Sequence, residues 1–283
     1  MLASLLIVFR EVFEAGLIVG LILAATEGVP RRGRWVAGGI LTGGLGATLV
    51  AAFAAVIAGA LRGVGQEVFT AAILIVAVAM LGWHSTWMAR HGREMAREMS
   101  AVGRAVKGGQ RSLLALAVVV AVAVLREGSE VALFLYGIAM SAHAGPVPML
   151  TGGGIGLLLA ALVSLLLYRG LVAIPLKHLF TVTNGLIALL AAGMAGQAAA
   201  VLASADILPS WGDHLWNTSF LLADDSWIGS ALHALVGYSA RPSGVQVAAY
   251  ATTLVVLILL ARYAAQPSPA RSVLADDAVS PHR

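Results

Sequence analysis

Two short charged strings lie in the middle of long apolar stretches of this chain. They are Arg10-Glu11-Val12-Phe13-Glu14 and Arg126-Glu127-Gly128-Ser129-Glu130, and both have the form R-E-x-x-E. Stretches of this length cross a bilayer as helices, and one ionised side chain at that depth costs at least ~3 kcal/mol on insertion scales. Six such residues in two copies of one pattern therefore indicate a site for a cation inside the membrane.

The spacing puts the charged side chains of each string on one face of a helix. The arginine and the second glutamate are i,i+4 neighbours that can pair, and the two glutamates are i,i+3 neighbours. Together the strings supply four carboxylates and two guanidiniums, and carboxylate oxygens suit hard cations. A purely structural alternative is that each Arg–Glu pair only joins helices, but the extra glutamate in both copies argues against it. The predicted metal ligands are Glu11, Glu14, Glu127 and Glu130, with Arg10 and Arg126 compensating their charge.

The composition predicts an all-α, polytopic membrane protein. Hydrophobic residues make up 59% of the chain and charged residues only 11%, whereas a soluble domain carries roughly 25% charged residues. The absence of cysteine excludes disulfides, thiolate metal sites and cysteine nucleophiles. The sequence contains no nucleotide-binding loop, flavin or haem signature or nucleophilic triad, so we expect a transporter rather than an enzyme, with no tightly bound cofactor. The basic residues lie in loops between apolar stretches, which favours membrane lipid over nucleic acid as their partner.

Seven apolar stretches are predicted to span the membrane. Lysine and arginine are strongly biased between the connecting segments: fourteen fall on one side of the predicted membrane and only two on the other. Because basic loops face the cytoplasm, the N-terminus is predicted to lie outside and the C-terminus inside. The predicted spans are Leu2–Ala25, Trp35–Leu61, Val68–Met88, Ser112–Met140, Val147–Tyr168, Leu179–Ala203 and Gly244–Tyr263.

The first three and the next three spans repeat one pattern. The R-E-x-x-E strings recur at an offset of 116, Thr42-Gly43-Gly44 recurs as Thr151-Gly152-Gly153, and Phe69-Thr70 recurs as Phe180-Thr181, all in the same order. Since three is odd, the two copies enter the membrane in opposite senses, which is the inverted-repeat plan of many transporters. The predicted organisation is a first repeat (1–88), a basic cytoplasmic loop (89–111), an inverted second repeat (112–203), an outward-facing loop (204–243), a seventh helix (244–263) and a disordered cytoplasmic tail (264–283). Within the basic loop, residues 90–111 are predicted to form a basic amphipathic helix against anionic lipid.

Several other polar residues are candidate accessory ligands. His84 lies between two tryptophans near the inner end of the third predicted span, where an exit ligand or an interfacial histidine both fit. The outward-facing loop holds acids and histidines that suit a metal-gathering vestibule, although a solvated loop explains them equally simply. The accessory candidates are His84, Asp206, Asp213, His214, Asp224 and Asp225.

The chain resembles the FTR1-type high-affinity iron permease family, which includes a fungal oxidase-coupled permease and bacterial EfeU-type permeases. The resemblance rests on R-E-x-x-E in the first and fourth predicted helices, and the stretch 215–219 and Val236-Gly237-Tyr238 support it. It implies import of iron across a bacterial inner membrane, in the ferric form after a periplasmic partner oxidises or delivers it. Two alternatives remain open: a permease for another cation such as lead or manganese, and a metal-binding sensor or scaffold subunit.

Overall fold

The structure is a computed structural model, and it describes residues 1–60, 65–142, 145–170, 176–212, 214–224 and 226–265. Within these ranges the chain forms eight α-helices and no β-strand, which confirms the all-α prediction. The helices are α1 (Leu2–Ala25), α2 (Arg32–Ala60), α3 (Gln66–Lys107), α4 (Leu113–Ala142), α5 (Pro146–Tyr168), α6 (Leu176–Ser204), α7 (Trp227–Val236) and α8 (Gly244–Ala265).

The described helices identify a multi-pass membrane protein. Five segments are long and apolar enough to cross a bilayer, namely Arg32–Val56, Glu67–Met88, Pro146–Tyr168, Thr181–Ser204 and Gly244–Ala264. The two remaining long helices are α1, with 24 residues, and α4, with 30 residues. Each of these two carries the three charged residues of one R-E-x-x-E string. The total of seven spans therefore stays a prediction.

Two segments differ from the pattern expected between spans. Residues 90–107 do not form a separate basic helix but continue α3, which is 42 residues long. At 1.5 Å per residue this is about 63 Å, roughly twice the thickness of the hydrocarbon core. The outward-facing loop contains a helix that the apolar pattern did not predict, α7, whose first turn is capped by Ser226. Residues 266–283 of the predicted disordered tail lie outside the described residues.

α1 and α4 run antiparallel through the centre of the bundle. One buried apolar cluster joins the start of α1, at Ala3 and Ile7, to the end of α4, at Phe134 and Ile138, together with side chains of α3 and α6. A second cluster joins the end of α1, at Ile22, to the start of α4 together with α2 and the distal part of α3. Since the two charged strings lie between these clusters, apolar packing at both ends holds them side by side.

α2 and α5 flank this centre by close backbone contact. A Cβ atom at Gly39 or Gly43 of α2 would lie 2.6 Å from the carbonyl oxygen of Ala117 or Ala121 of α4. In the same way, Gly152 and Gly156 of α5 face the carbonyl oxygens of Met1 and Leu5 of α1. Small residues permit this approach between membrane helices. Each flanking helix therefore packs on the motif-bearing helix of the other half of the chain.

Candidate metal site

The first string forms a fully buried ion cluster on α1. Arg10 Nη1 lies 3.1 Å from Glu11 Oε1, and Arg10 Nε lies 3.0 Å from Glu14 Oε1. The helical spacing brings this i,i+4 pair together, and all three side chains are buried. A planar guanidinium can hold two carboxylates at once. Arg10 is therefore a fixed counter-charge for both glutamates of its own helix.

The second string has the same sequence pattern but a different arrangement on α4. Arg126 Nε lies 3.2 Å from Glu130 Oε1, whereas its distance to Glu127 Oε1 is 3.9 Å. The Arg126 side chain is 33% exposed, compared with 2% for Arg10. Its guanidinium carbon lies 4.4 Å above the centre of the Trp87 ring. The two arginines are therefore not equivalent, although the sequence makes them look so.

His84 of α3 connects the two strings. Its Nε2 lies 3.4 Å from Glu14 Oε2 and 3.8 Å from Glu11 Oε2, and its Nδ1 contacts Glu130 Oε2. The side chain is buried. Sequence reasoning ranked His84 only as an accessory candidate near the inner end of its span. The structure places it in the middle of the cluster, and its only sequence signal was a polar residue within an apolar helix.

Four side chains converge on one point. Glu11, His84, Glu127 and Glu130 each offer a ligand atom, and these atoms lie within 4.8 Å of one another. Both carboxylate oxygens of Glu127 and Oε2 of Glu11 are buried and have no hydrogen-bond partner among the described residues. Buried carboxylates without donors are strongly disfavoured unless a cation or a proton offsets them. Oxygen ligands and one imidazole nitrogen form a set that suits first-row divalent metals.

A cavity of about 620 Å³ lies along α3 and α4 next to this cluster. Its polar part is formed by His84, Arg126 and Glu130, and its apolar part includes Met80 and Trp83 of α3. Of the four converging side chains, His84 and Glu130 therefore border open space on the side where Arg126 lies.

The described candidates of the loop predicted to face outward, Asp206, His214 and Asp224, do not join this cluster. Asp224 accepts a hydrogen bond from the backbone N–H of Ala240 at 2.8 Å, which ties the loop together before α8. Asp206 lies in the turn after α6 with a φ of 56°, and both Asp206 and His214 are exposed. Asp213 and Asp225 lie outside the described residues. The vestibule role of these residues stays a prediction.

The comparisons with known proteins identify the relatives of this chain. The family model described as the iron permease FTR1 family matches residues 1–267. The chain belongs to this family. A ferrous iron permease EfeU from Escherichia coli O6:K15:H31 (strain 536 / UPEC) is 31% identical over 258 residues, which cover 88% of this chain and 91% of that protein. The same values hold for the ferrous iron permease EfeU of Shigella sonnei (strain Ss046).

A relative of lower identity carries the same name. The ferrous iron permease EfeU of Yersinia pestis is 28% identical over 264 residues, which cover 92% of this chain and 93% of that protein. No solved structure matches the chain. Membership of the iron permease family confirms the resemblance drawn from the R-E-x-x-E strings, and it agrees with a transporter rather than an enzyme.

Proposed function

We propose that this iron permease family member carries iron ions across a bacterial cytoplasmic membrane, and that the ion pauses between Glu11, Glu127, Glu130 and His84. The observation that carries the proposal is the convergence of these four ligands within 4.8 Å at a buried point. The buried oxygens of Glu127 add to it, because neither has a hydrogen-bond partner among the described residues, and a carboxylate buried without a donor needs an explanation such as a bound cation.

Glu14 has a different role from the other three glutamates. Its Oε1 lies 3.0 Å from Arg10 and its Oε2 lies 3.4 Å from His84. It therefore neutralises Arg10 and orients the imidazole, as a second layer of residues does around many metal ligands. The prediction that all four glutamates bind the ion directly is narrowed to three direct ligands and one supporting carboxylate.

The formal charge of the site supports a divalent ion. Four carboxylates and two guanidiniums carry a formal charge of about −2 when His84 is neutral. A ferrous ion brings this to zero, whereas a ferric ion leaves a positive excess in a poorly solvated region. The relatives are named as ferrous iron permeases. Entry of iron in the ferric form, after oxidation by a periplasmic partner, stays a prediction for the outer side of the protein.

The packing of the helices supports two inverted three-helix repeats and seven spans. α1 and α4 are antiparallel, and α2 and α5 exchange partners between the halves. Gly39 and Gly43 of α2 face Ala117 and Ala121 of α4, and Gly152 and Gly156 of α5 face Met1 and Leu5 of α1. The two α5 glycines come 113 positions after the α2 glycines, and the α1 residues come 116 positions before the α4 residues. These offsets fit one two-fold relation, although it pairs Gly39 with Gly152, one helical turn away from the sequence match of Gly43 with Gly152. Inverted repeats place substrate sites near the bilayer midplane.

Reconstitution tests the function directly. The purified chain alone in proteoliposomes should take up ferrous iron kept reduced by ascorbate, and ferric citrate, manganese and lead serve as competing substrates in parallel. Glu127→Gln should abolish uptake, whereas the matched control Glu67→Gln, which changes an exposed glutamate of α3, should leave it unchanged. Binding of iron without uptake would favour a sensor or scaffold subunit. Preferential uptake of lead or manganese would favour the alternative that the chain is a permease for another cation.

A further inference from the structure

The side chain of Arg126 is held by fewer close contacts than the side chain of Arg10. Arg10 is buried and pairs with two carboxylates at 3.0 and 3.1 Å. Arg126 has one short ion pair, to Glu130, and a third of its side chain is exposed. The two strings are identical in form, so this difference arises from their surroundings and not from the motif.

The surroundings of Arg126 are the cavity along α3 and α4 and the ring of Trp87. The guanidinium carbon lies 4.4 Å above that ring, at cation–π distance. Trp87, Arg126, Glu130 and His84 all line the cavity. The ring contacts the guanidinium while Arg126 is paired with Glu130, so the cation–π contact favours this position.

In this position Arg126 occupies Glu130, one of the proposed iron ligands. An ion that binds all four ligands competes with the guanidinium for Glu130, since two cations at one carboxylate repel each other. Space for the displaced side chain exists in the adjoining cavity, and Arg10 has no comparable space because it is buried.

We infer that Arg126 and Trp87 form a gate on one side of the ion site, in which the ring stabilises the closed, ion-free position. Displacement of Arg126 into the cavity accompanies ion binding, and its return to Glu130 drives ion release. Arg10 stays in place throughout. This role rests on the proposed function, and Trp87 acts in it as a positioning residue that never contacts the ion.

The gate predicts a change that ordinary structural damage does not produce. In Trp87→Leu the closed position loses its cation–π contact, so ferrous iron should bind about fivefold more tightly. Release should slow because Arg126 returns less readily to Glu130, so both KM and the maximal uptake rate should fall. Trp87→Phe keeps a ring and should show a smaller shift in the same direction. Trp35→Leu removes a partly exposed tryptophan of α2 that does not line this cavity, and it should match the unchanged protein.

Two measurements on one preparation separate the outcomes. Equilibrium binding of ferrous iron to the detergent-purified protein under anaerobic conditions tests the gate without any transport. Uptake into proteoliposomes then gives KM and the maximal rate. Tighter binding in Trp87→Leu supports the gate even if the unchanged protein binds iron without moving it, an outcome that would refute only the proposed function. Unchanged or weaker iron binding in both Trp87→Leu and Trp87→Phe would refute the gate. The proposed function would still stand if the unchanged protein takes up iron. If Trp87→Leu does not reach the membrane, iron binding by Trp87→Phe is compared with binding by Trp35→Leu, and tighter binding in Trp87→Phe alone supports the gate.

Discussion

His84 Nδ1 contacts Glu130 Oε2, so an imidazole from α3 meets the last glutamate of the second R-E-x-x-E string. The other imidazole nitrogen lies 3.4 Å from Glu14 of the first string. One side chain therefore connects both halves of the charged cluster, and its position makes the symmetric four-glutamate site asymmetric.

His84→Asn should reduce iron uptake at least tenfold. The substitution removes a proposed nitrogen ligand and leaves a polar side chain of lower volume, so the helix packing is retained. Initial rates of ferrous iron uptake in proteoliposomes measure the effect. His214→Asn changes an exposed histidine of the outward-facing loop and serves as the control, and it should have no effect. An equal loss of iron uptake in both variants would indicate that the vestibule is part of the transport route.

Glu127→Ala and Glu14→Ala should differ in stability, although both impair uptake. Glu127 is buried, and neither of its oxygens has a hydrogen-bond partner within the described ranges, so its loss removes an unfavourable buried group from the iron-free protein. Glu14→Ala leaves Arg10 with one carboxylate fewer in a buried site, which is strongly destabilising. Thermal unfolding in detergent without iron should show Glu127→Ala at or above the unchanged protein and Glu14→Ala below it. The reverse order would contradict the division between ligand and supporting carboxylate.

Arg10→Lys should cost more stability than Arg126→Lys. An ammonium cannot reproduce the two contacts that the Arg10 guanidinium makes, and breaking a buried pair costs about 3–5 kcal/mol. Arg126 is partly exposed and has one short contact, so lysine replaces it with less loss. Membrane expression and the midpoint of thermal unfolding measure the difference. Equal midpoints would show that the two arginines are equivalent, as their sequence suggests.

Neighbouring glycines of α2 should respond oppositely to one added methyl group. A Cβ at Gly43 would lie 2.6 Å from the Ala121 carbonyl oxygen, whereas a Cβ at Gly44 meets nothing within 4 Å. Gly43→Ala should therefore push α2 from α4 and lower the unfolding midpoint by several degrees, and Gly44→Ala should be neutral or slightly stabilising. Gly156→Ala and Gly154→Ala form the corresponding pair on α5. Of these two glycines, Gly156 faces the backbone of α1 and Gly154 meets nothing within 4 Å. A neutral Gly43→Ala would mean that α2 does not pack this closely.

Single cysteines should report the orientation of the chain, because it contains no native cysteine. In spheroplasts, His214→Cys should react with a membrane-impermeant maleimide, and Gln110→Cys should react only after the membrane is opened. Both positions are exposed in the structure. Labelling of Gln110→Cys in intact spheroplasts would contradict the predicted orientation with the N-terminus outside.

The position of the helices could be read from the sequence, and two misreadings have local reasons. Apolar length identifies α1, α2, α4, α5, α6 and α8, and the beginning of α3, to within a few residues, because burying a backbone in lipid requires long apolar helices. α7 is only 10 residues long, so it produces no comparable signal. Residues 90–111 are predicted to form a basic helix of their own because basic side chains end the apolar stretch, whereas α3 continues to Lys107, since nothing in residues 90–107 interrupts a helix.

By itself, the sequence determined that charge lies within apolar helices, and this conclusion needs only the energy of an ionised group in a bilayer. Tertiary structure decided which of those charges face one another. His84 is remote from both strings along the chain, so only the packing of α3 against α1 and α4 makes it central. The same holds for the two arginines, because exposure and the Trp87 ring, which no local pattern encodes, make one fixed and leave the other beside a cavity.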